Sequence, residues 1–192
     1  MATKGEKTRE AILDASYALF AGKGFKQVTM KDVCAAANMS RGGLYSHFSG
    51  TDTLFEALLE KITDKSEMDF QAAMDEGTPA VRILDRALKL MEEELRHPEG
   101  SLSVAMYEYA ETVDSYMMEH LNRIAEGKWK KLILYGIGRG EFRDVNVSGI
   151  VNTILYSYQG VRMWSRIIPM KPKTYRSIAE NIKSQLIKGE QK

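Results

Sequence analysis

The hydrophobic positions of this chain recur at the three- and four-residue spacing of amphipathic helices, most clearly between residues 29 and 48. There the pattern predicts two short helices joined by a tight turn. Thr29 can cap the first helix, and Asp32 can complete a capping box with it. Asn38 can adopt the left-handed conformation that ends a helix, and Ser40 can cap the second one.

The second of these helices is unusual because glycines occupy its first turn. Leu44 and Phe48 lie four residues apart and can be buried together, whereas Gly42 and Gly43 directly follow Arg41. Each glycine costs about 1 kcal/mol relative to alanine inside a helix, so stability does not explain the pair. Close approach of the bare backbone to another molecule would explain it. Such a first turn suits the DNA major groove, where the N-terminal residues of a recognition helix meet base edges.

The rest of the hydrophobic pattern also predicts helices alone. A first helix is expected over residues 6–21, and a long helix over residues 49–74. The sequence Gly77-Thr78-Pro79 is the strongest boundary signal, with Thr78 as the cap of the helix that follows. The later helices are expected over residues 79–97, 101–118, 119–137, 148–168 and 172–188. All four prolines fall between helical stretches, and we therefore predict an all-α fold.

Composition and charge change this picture only slightly. The chain has 192 residues, of which 44% are hydrophobic and 28% charged, as in ordinary soluble globular proteins. Its net charge is only +1. Residues 1–49 carry seven Lys or Arg against four Asp or Glu, and the remainder carries twenty against twenty-two. This modest asymmetry agrees with an N-terminal part that binds DNA, without establishing one.

Cysteine usage and hydropathy indicate the compartment. Cys34 is the single cysteine, so no intrachain disulfide can form, and a reducing cytoplasm is expected. It lies on the apolar face of the first short helix, where a small core residue is the simplest interpretation. No signal peptide is recognised, and no apolar run approaches the ~20 residues of a membrane span. We expect a cytoplasmic protein with no membrane partner.

No combination of residues predicts catalysis or a cofactor. The three histidines, His47, His97 and His120, lack the spacing of metal ligands. No Ser or Cys lies in a recognisable nucleophile elbow. The glycines at 136–140 fail the dinucleotide-binding fingerprint, because Glu141 stands where its last glycine is required. The expectation is therefore no enzyme, no cofactor and no metal site.

The ordered residues between 29 and 48 resemble the N-terminal domain of the TetR family of bacterial transcriptional regulators. The pattern is T-x-x-x-V-x-x-x-A followed by N-x-S-x-G-x-L-Y-x-H-F. Its matching residues here are Thr29, Val33, Ala37, Ser40, Gly42, Leu44, Tyr45, His47 and Phe48. The resemblance covers about the first sixty residues and is specific as a set. Beyond them it is one of architecture only.

The resemblance implies a three-helix helix-turn-helix DNA-binding domain over residues 1–49, completed by the start of a linking helix from about residue 50. Arg41, Gly42 and Gly43 are then expected to meet base edges. The residues expected to contact phosphates are Thr29, Lys31, Ser40, Tyr45, His47 and Thr51. Family members often carry Lys at the last of these positions. A threonine hydroxyl can still bond a phosphate, but one positive charge is missing.

The resemblance also implies a helical effector-binding and dimerisation domain over residues 50–192. Its effector is expected to be a small, mainly apolar molecule. Met and aromatic residues at helical spacing usually belong to a core, but a subset can line a pocket. The candidate ligand residues are Phe70, Met91, Tyr109, Trp129, Gln159 and Met163. The candidate homodimer contacts are Ile150, Ile154, Val161, Tyr175, Ile178 and Ile182.

The sequence thus predicts a transcriptional regulator, with repression as the family's habit, that binds a two-fold-symmetric operator as a homodimer and is released by the effector. Two alternatives stay open. One is a regulator of the same kind that answers a protein partner or has no effector, which the lack of a cavity of a few hundred cubic ångströms would favour. The other is a helical interaction protein that does not bind DNA.

Overall fold

The computed structural model describes residues 3–64 and 70–187, and within these ranges the chain is built from ten α-helices. The helices are α1 Lys4–Lys23, α2 Met30–Ala36, α3 Arg41–Tyr45, α4 Thr51–Asp64, α5 Gln71–Asp75, α6 Ala80–Leu95, α7 Ser103–Thr112, α8 Tyr116–Gly138, α9 Val147–Ser165 and α10 Pro172–Leu186. The predicted all-α fold is confirmed. No helix in the described part is long and apolar enough to span a membrane.

Three sequence-based expectations about helix ends need correction. The break expected between residues 118 and 119 lies at residues 113–115, since α7 ends at Thr112 and α8 begins at Tyr116. The long helix expected over residues 49–74 is interrupted, because Phe70 lies outside any helix and α5 begins after it; residues 65–69 lie outside the described ranges. Thr78 does not cap α6, because Pro79 takes the N-cap position. The carboxylate of Glu141, sixty residues away, accepts the Val81 N–H at 3.2 Å instead.

The chain divides into two compact units. The N-terminal unit comprises Met1–Ser66 together with Glu99–Glu119, and the second unit comprises Glu67–Pro98 with His120–Lys192. The N-terminal unit therefore contains α4 and α7 in addition to the residues 1–49 expected to bind DNA. Residues 99–119 join it although they lie far along the chain.

An aromatic cluster forms the centre of the N-terminal unit. Phe20, Phe25, Phe55 and Tyr109 pack with ring centroids 4.7–6.1 Å apart. Lys61 of α4, with only 9% of its side chain exposed, pairs with two carboxylates of α1. The N-terminal unit is thus held together by packed aromatic rings at its centre and by the ion pairs of Lys61 between α4 and α1.

The core of the second unit is a packed set of apolar faces from α6, α8, α9 and α10. Leu84, Leu132, Ile133 and Ile154 are fully buried there. Each of these helices presents one hydrophobic stripe to the core, as the helical periodicity of the sequence predicts. The opposite sides of these helices lie at the surface of this unit.

Candidate nucleic-acid interface

The caps that begin α2 and α3 are formed as predicted. The Thr29 side chain accepts the Asp32 N–H at 3.2 Å, and the Asp32 carboxylate accepts the Thr29 N–H at 2.9 Å, which completes the capping box. Asn38 has φ +50 at the end of α2. The Ser40 hydroxyl accepts the Gly43 N–H at 3.2 Å at the start of α3. These local bonds fix the direction in which α3 leaves the turn.

The two sides of α3 differ sharply. Leu44 is fully buried and Phe48, just beyond the helix, is 4% exposed, so this side fastens α3 to the N-terminal unit. Arg41 and Tyr45 lie on the outer side, and the Arg41 guanidinium stacks 5.4 Å from the centroid of the Tyr45 ring. This stacking holds Arg41 in a defined position on the surface.

All nine residues expected to contact DNA lie on or beside α2, α3 and the first turn of α4. The exposed ones are Thr29, Lys31, Ser40, Arg41, Gly42 and Tyr45, and the half-buried ones are Gly43, His47 and Thr51. None is lost to the core. The structure therefore places the whole candidate set at the surface of one unit.

The two glycines of α3 have different surroundings. A Cβ atom at Gly42 would meet nothing within 4 Å. A Cβ atom at Gly43 would lie 3.2 Å from the capping hydroxyl of Ser40 and 3.3 Å from the Met39 methyl. The cap thus gives Gly43 an internal reason to be glycine. Of the two, only Gly42 has no packing reason inside the protein, so close approach of the bare backbone to DNA explains Gly42 alone.

We expect Gly42→Ala to separate stability from DNA binding. Alanine should stabilise the fold by about 0.5–1 kcal/mol, because glycine is the weaker helix former and the site is open. The added methyl should nevertheless lower DNA affinity by about tenfold or more, because it stands between backbone and bases. Thermal unfolding and DNA-binding titrations measure the two effects. Tighter or unchanged DNA binding by the more stable variant would contradict the close approach.

The cations of the N-terminal unit fall into two groups. Lys23 pairs with Asp32 at 2.8 Å, and Lys26 pairs with Glu111 at 2.6 Å. Lys31 and Arg41, by contrast, form no ion pair with any carboxylate among the described residues. These two side chains are therefore charged and available for an anionic partner.

The carboxylate of Asp32 is stabilised in its charged form. A hydrogen bond from Lys23 contributes most, followed by bonds from the hydroxyl and the N–H of Thr29. Together they hold the pKa of Asp32 well below its ordinary value of 3.8. The cap of α2 is therefore also an electrostatic contact with α1.

We expect Asp32→Asn to lower the melting temperature at neutral pH, because an amide cannot form the ion pair with Lys23. A carboxyl group with a depressed folded-state pKa stabilises the fold above its unfolded-state pKa and loses that contribution as pH falls through the folded-state pKa. The difference from wild type should stay constant from about pH 8 to 5 and shrink below about pH 4. Calorimetry of both proteins across this pH range tests the prediction. A melting-temperature difference that is unchanged at about pH 2 would show that the charge of Asp32 is not its cause.

Comparison with known proteins finds a family match for the N-terminal segment. A family model described as bacterial regulatory proteins, tetR family, matches residues 12–58. The uncharacterised HTH-type transcriptional regulator YfiR of Bacillus subtilis is 29% identical over 146 residues, covering 73% of this chain and 70% of its own. The HTH-type transcriptional repressor KstR2 of Mycolicibacterium smegmatis is 22% identical over 168 residues, covering 85% and 80%. The matched segment thus has the pattern of the N-terminal domain of the tetR family, and both of these relatives are HTH-type transcriptional regulators.

Solved structures of TetR-family regulators share the fold. A regulator of this family from Agrobacterium tumefaciens superposes with a TM-score of 0.82 over 96% of this chain and 100% of its own, at 10% identity. The ketosteroid transcriptional regulator KstR2 of Mycobacterium tuberculosis superposes with a TM-score of 0.66 over 94% and 95%, at 21% identity. At these identities the likeness concerns the fold alone.

The candidate ligand residues do not form one pocket. Tyr109 is fully buried in the N-terminal unit. In the second unit, Phe70 and Trp129 pack against each other with centroids 5.0 Å apart, and Gln159 is exposed. Met163 is half-buried on α9 and does not line the pocket described next. The sequence could not distinguish core residues from residues that line a pocket, because Met and aromatic side chains are common in both.

A small cavity of about 30 Å³ lies between α6, α9 and α10, and of the six candidates only Met91 lines it. Its lining is Leu88, Met91, Glu92, Leu95, Ser157, Tyr158, Val161, Tyr175, Ile178, Ala179 and Ile182. Two of the polar side chains in its lining have partners, since the Tyr158 hydroxyl donates to Glu94 and Glu92 pairs with Arg96 at 2.8 Å. The cavity is apolar and is far smaller than an ordinary ligand site of about 300–1,000 Å³.

The structure corrects five of the six candidate dimer contacts. Ile150, Ile154, Val161, Tyr175 and Ile182 are each at most 7% exposed within a single chain, and Ile178 is half-buried in the wall of the cavity. Side chains already buried in their own protomer are not available to a second one. The physical reason on α9 is that this helix has two apolar stripes, of which the aliphatic one faces inward; on α10, Tyr175 and Ile182 likewise face inward.

The outer stripe of α9 is the surface that the sequence-based prediction missed. Tyr156 and Trp164 are 62% and 53% exposed, and Ile167, just past the helix, is 68% exposed. Gly160 lies on the same side, and a Cβ atom there would meet nothing within 4 Å. The spacing of these residues at i, i+4, i+8 and i+11 is visible in the sequence and was the available signal.

Proposed function

We propose that this TetR-family regulator represses transcription by binding a two-fold-symmetric operator as a homodimer. The observation that carries the proposal is the outer side of α3, where stacked Arg41 and open Gly42 lie beside a capped helix start. Residues 1–49 and the start of α4 hold the DNA contacts. Such a role requires the cytoplasm, where the operator is.

The proposed contacts divide into base readout and positioning. Arg41 reads a guanine through O6 and N7, and the Gly42 backbone lies against the neighbouring base edge. Phosphates are contacted from the start of α2, the start of α3 and the first turn of α4, which fixes register without reading sequence. The residues assigned to phosphates are Thr29, Lys31, Ser40, Tyr45, His47 and Thr51. The half-buried Gly43 contributes indirectly, because its N–H donates to the capping hydroxyl of Ser40.

We assign the dimer interface to the outer stripe of α9, which we define as Tyr156, Gly160, Trp164 and Ile167. A contiguous exposed apolar surface of this kind commonly marks an interaction site. A gap at glycine lets two helices approach closely. Dimerisation also has a physical purpose, because one short helix reads few bases and two of them about 34–36 Å apart meet successive major-groove faces.

We propose a small, mainly apolar effector that enters the second unit at the cavity between α6, α9 and α10. Its apolar lining supports this chemistry, and KstR2, a relative, is called a ketosteroid transcriptional regulator. A ligand of ordinary size must separate these helices, since the cavity holds only about 30 Å³. Release of DNA requires the effector to prefer the state that cannot bind operator, because equal affinity for both states shifts nothing.

A second candidate is a regulator that answers a protein partner or has no effector. The small cavity favours this candidate, because a preformed site of a few hundred cubic ångströms would have supported the first. Thermal unfolding in the presence of a panel of sterols, fatty acids and aromatic compounds separates the two. A compound that raises the melting temperature and releases DNA supports the effector; a panel without any such compound supports the second candidate.

Selection from a pool of random duplexes tests the DNA-binding proposal itself. Purified wild-type protein should enrich one inverted-repeat sequence, with its two half-sites about one helical turn apart. Enrichment of no sequence over the starting pool would refute operator binding. Enrichment of a single half-site without symmetry would refute the homodimer.

A further inference from the structure

The turn between α1 and α2 is held by a carboxylate from α7. The Glu108 carboxylate accepts the Lys26 backbone N–H at 2.9 Å. Gly24 ends α1 with φ +79, and a Cβ atom there would lie 2.5 Å from the same carboxylate oxygen. The carboxylate thus occupies the place where any other side chain at Gly24 would begin. Glycine suits this turn because its φ is positive, and a side chain at this position would have to displace the Glu108 carboxylate.

The next residue of α7 is bound to the same region. Tyr109 is fully buried, its ring lies edge-on to Phe25 at 5.2 Å and tilted against Phe55 at 5.4 Å. Its hydroxyl donates to Glu56 of α4. Burial, together with the negative charge of Glu56, raises the pKa of the Tyr109 hydroxyl, so it remains a donor throughout the physiological range. Glu108 and Tyr109 therefore connect the turn after α1 to α4.

We propose that Glu108 and Tyr109 are positioning residues for DNA binding, although they lie outside the segment that touches DNA. The turn that Glu108 holds leads directly to Thr29, which caps α2 and is itself assigned to a phosphate. Without Glu108, the Lys26 N–H loses its partner and the turn is free to shift. A shift there moves the cap of α2 and, through the short turn that follows, the outer side of α3.

A third α7 residue provides the internal comparison. Glu111 pairs with the side chain of Lys26 at 2.6 Å, but both side chains are about half exposed. An exposed ion pair of this kind contributes little to stability or position. Two carboxylates three residues apart on one helix therefore have different roles. Glu108 sets the backbone of the turn, and Glu111 only neutralises a surface charge.

The experiment uses full-length protein and a duplex that the wild type selects from random DNA, so it rests on the proposed DNA binding. Affinity is measured by fluorescence anisotropy at 20 °C, well below the melting transition, on samples whose circular dichroism shows full helicity. Glu108→Ala should weaken binding by about tenfold or more. Glu108→Gln should stay within about threefold of wild type, because its amide oxygen still accepts the Lys26 N–H. Glu111→Gln should also stay within about threefold.

The rescue by glutamine is the readout that a general loss of stability would not produce. Tyr109→Phe keeps the ring and removes only the bond to Glu56, and it should weaken binding about threefold or more in a folded protein. If Glu108→Ala does not fold, Glu108→Asp replaces it, because the shortened side chain cannot reach the turn and should weaken binding by about threefold or more. Wild-type affinity in Glu108→Ala, or in Glu108→Asp when that variant replaces it, or equal losses in Glu108→Gln and Glu108→Ala, would overturn the inference. A wild type that selects no duplex would instead refute the proposed function.

Discussion

Arg41→Ala should weaken operator binding by at least about 30-fold, because each bidentate arginine–guanine pair is worth roughly 1–3 kcal/mol and the dimer loses two of them. The variant should fold normally. Arg41 is exposed, forms no carboxylate ion pair among the described residues, and stacks only on Tyr45. The loss should also be specific, so that the preference for operator over random duplex falls together with the affinity.

The matched control for this experiment is Arg82→Ala, which removes an exposed arginine from α6 in the second unit. It changes the net charge by the same amount as Arg41→Ala. Anisotropy titrations with operator and with random duplex, at one fixed salt concentration, give both affinities for each variant. If both variants lose affinity equally, charge alone would account for the effect and Arg41 would have no role in base readout.

Gly160→Arg should convert the dimer to a monomer and reduce operator affinity by about a hundredfold or more, because only two joined recognition helices bind successive groove faces tightly. The single chain should tolerate the change. A Cβ atom at Gly160 meets nothing within 4 Å, and arginine is a better helix former than glycine. The side chain would instead stand in the outer stripe of α9, where the second copy is proposed to pack.

The matched control is Gly127→Arg on α8, where a Cβ atom also meets nothing within 4 Å and the residue is exposed. Both variants add the same side chain to an open glycine within a helix. Sedimentation velocity should show a monomer for Gly160→Arg and a dimer for Gly127→Arg. A dimeric Gly160→Arg that binds operator normally would move the interface away from α9.

Features that depend on a few neighbouring residues were predictable from the sequence. The capping box of Thr29 and Asp32 and the left-handed Asn38 follow from residue chemistry within four positions, and the structure contains each of them. The family resemblance extended this local reading to a set of DNA contacts. Local patterns sufficed because the helix-turn-helix segment is itself short.

Features that depend on distant residues were not predictable. The displacement of Thr78 by the carboxylate of Glu141 needs knowledge of a contact sixty residues away. The burial of Tyr109 beside Phe25 likewise joins segments that the sequence does not relate. On α9, Ile154 faces inward and Tyr156 outward, and periodicity alone does not say which apolar stripe meets the core. The candidate dimer contacts on α9 arose from that ambiguity.

The two glycines of α3 show that even neighbouring residues can differ in ways that the sequence does not predict. The sequence treats Gly42 and Gly43 alike, since both cost helix stability. Their surroundings distinguish them, because the Ser40 hydroxyl and the Met39 methyl lie 3.2 Å and 3.3 Å from the place of a Cβ atom at Gly43, and nothing lies within 4 Å of one at Gly42. Close approach of bare backbone to DNA is therefore expected only at Gly42, directly after Arg41.

Methylation interference at guanine N7 tests most directly whether α3 reads bases. Methyl groups on guanine N7 in the selected operator should block wild-type binding at one or two symmetric positions in each half-site, because Arg41 donates to that atom. Arg41→Ala, assayed at higher protein concentration, should be indifferent to methylation at those same positions. An identical interference pattern for wild type and Arg41→Ala would contradict base readout by α3.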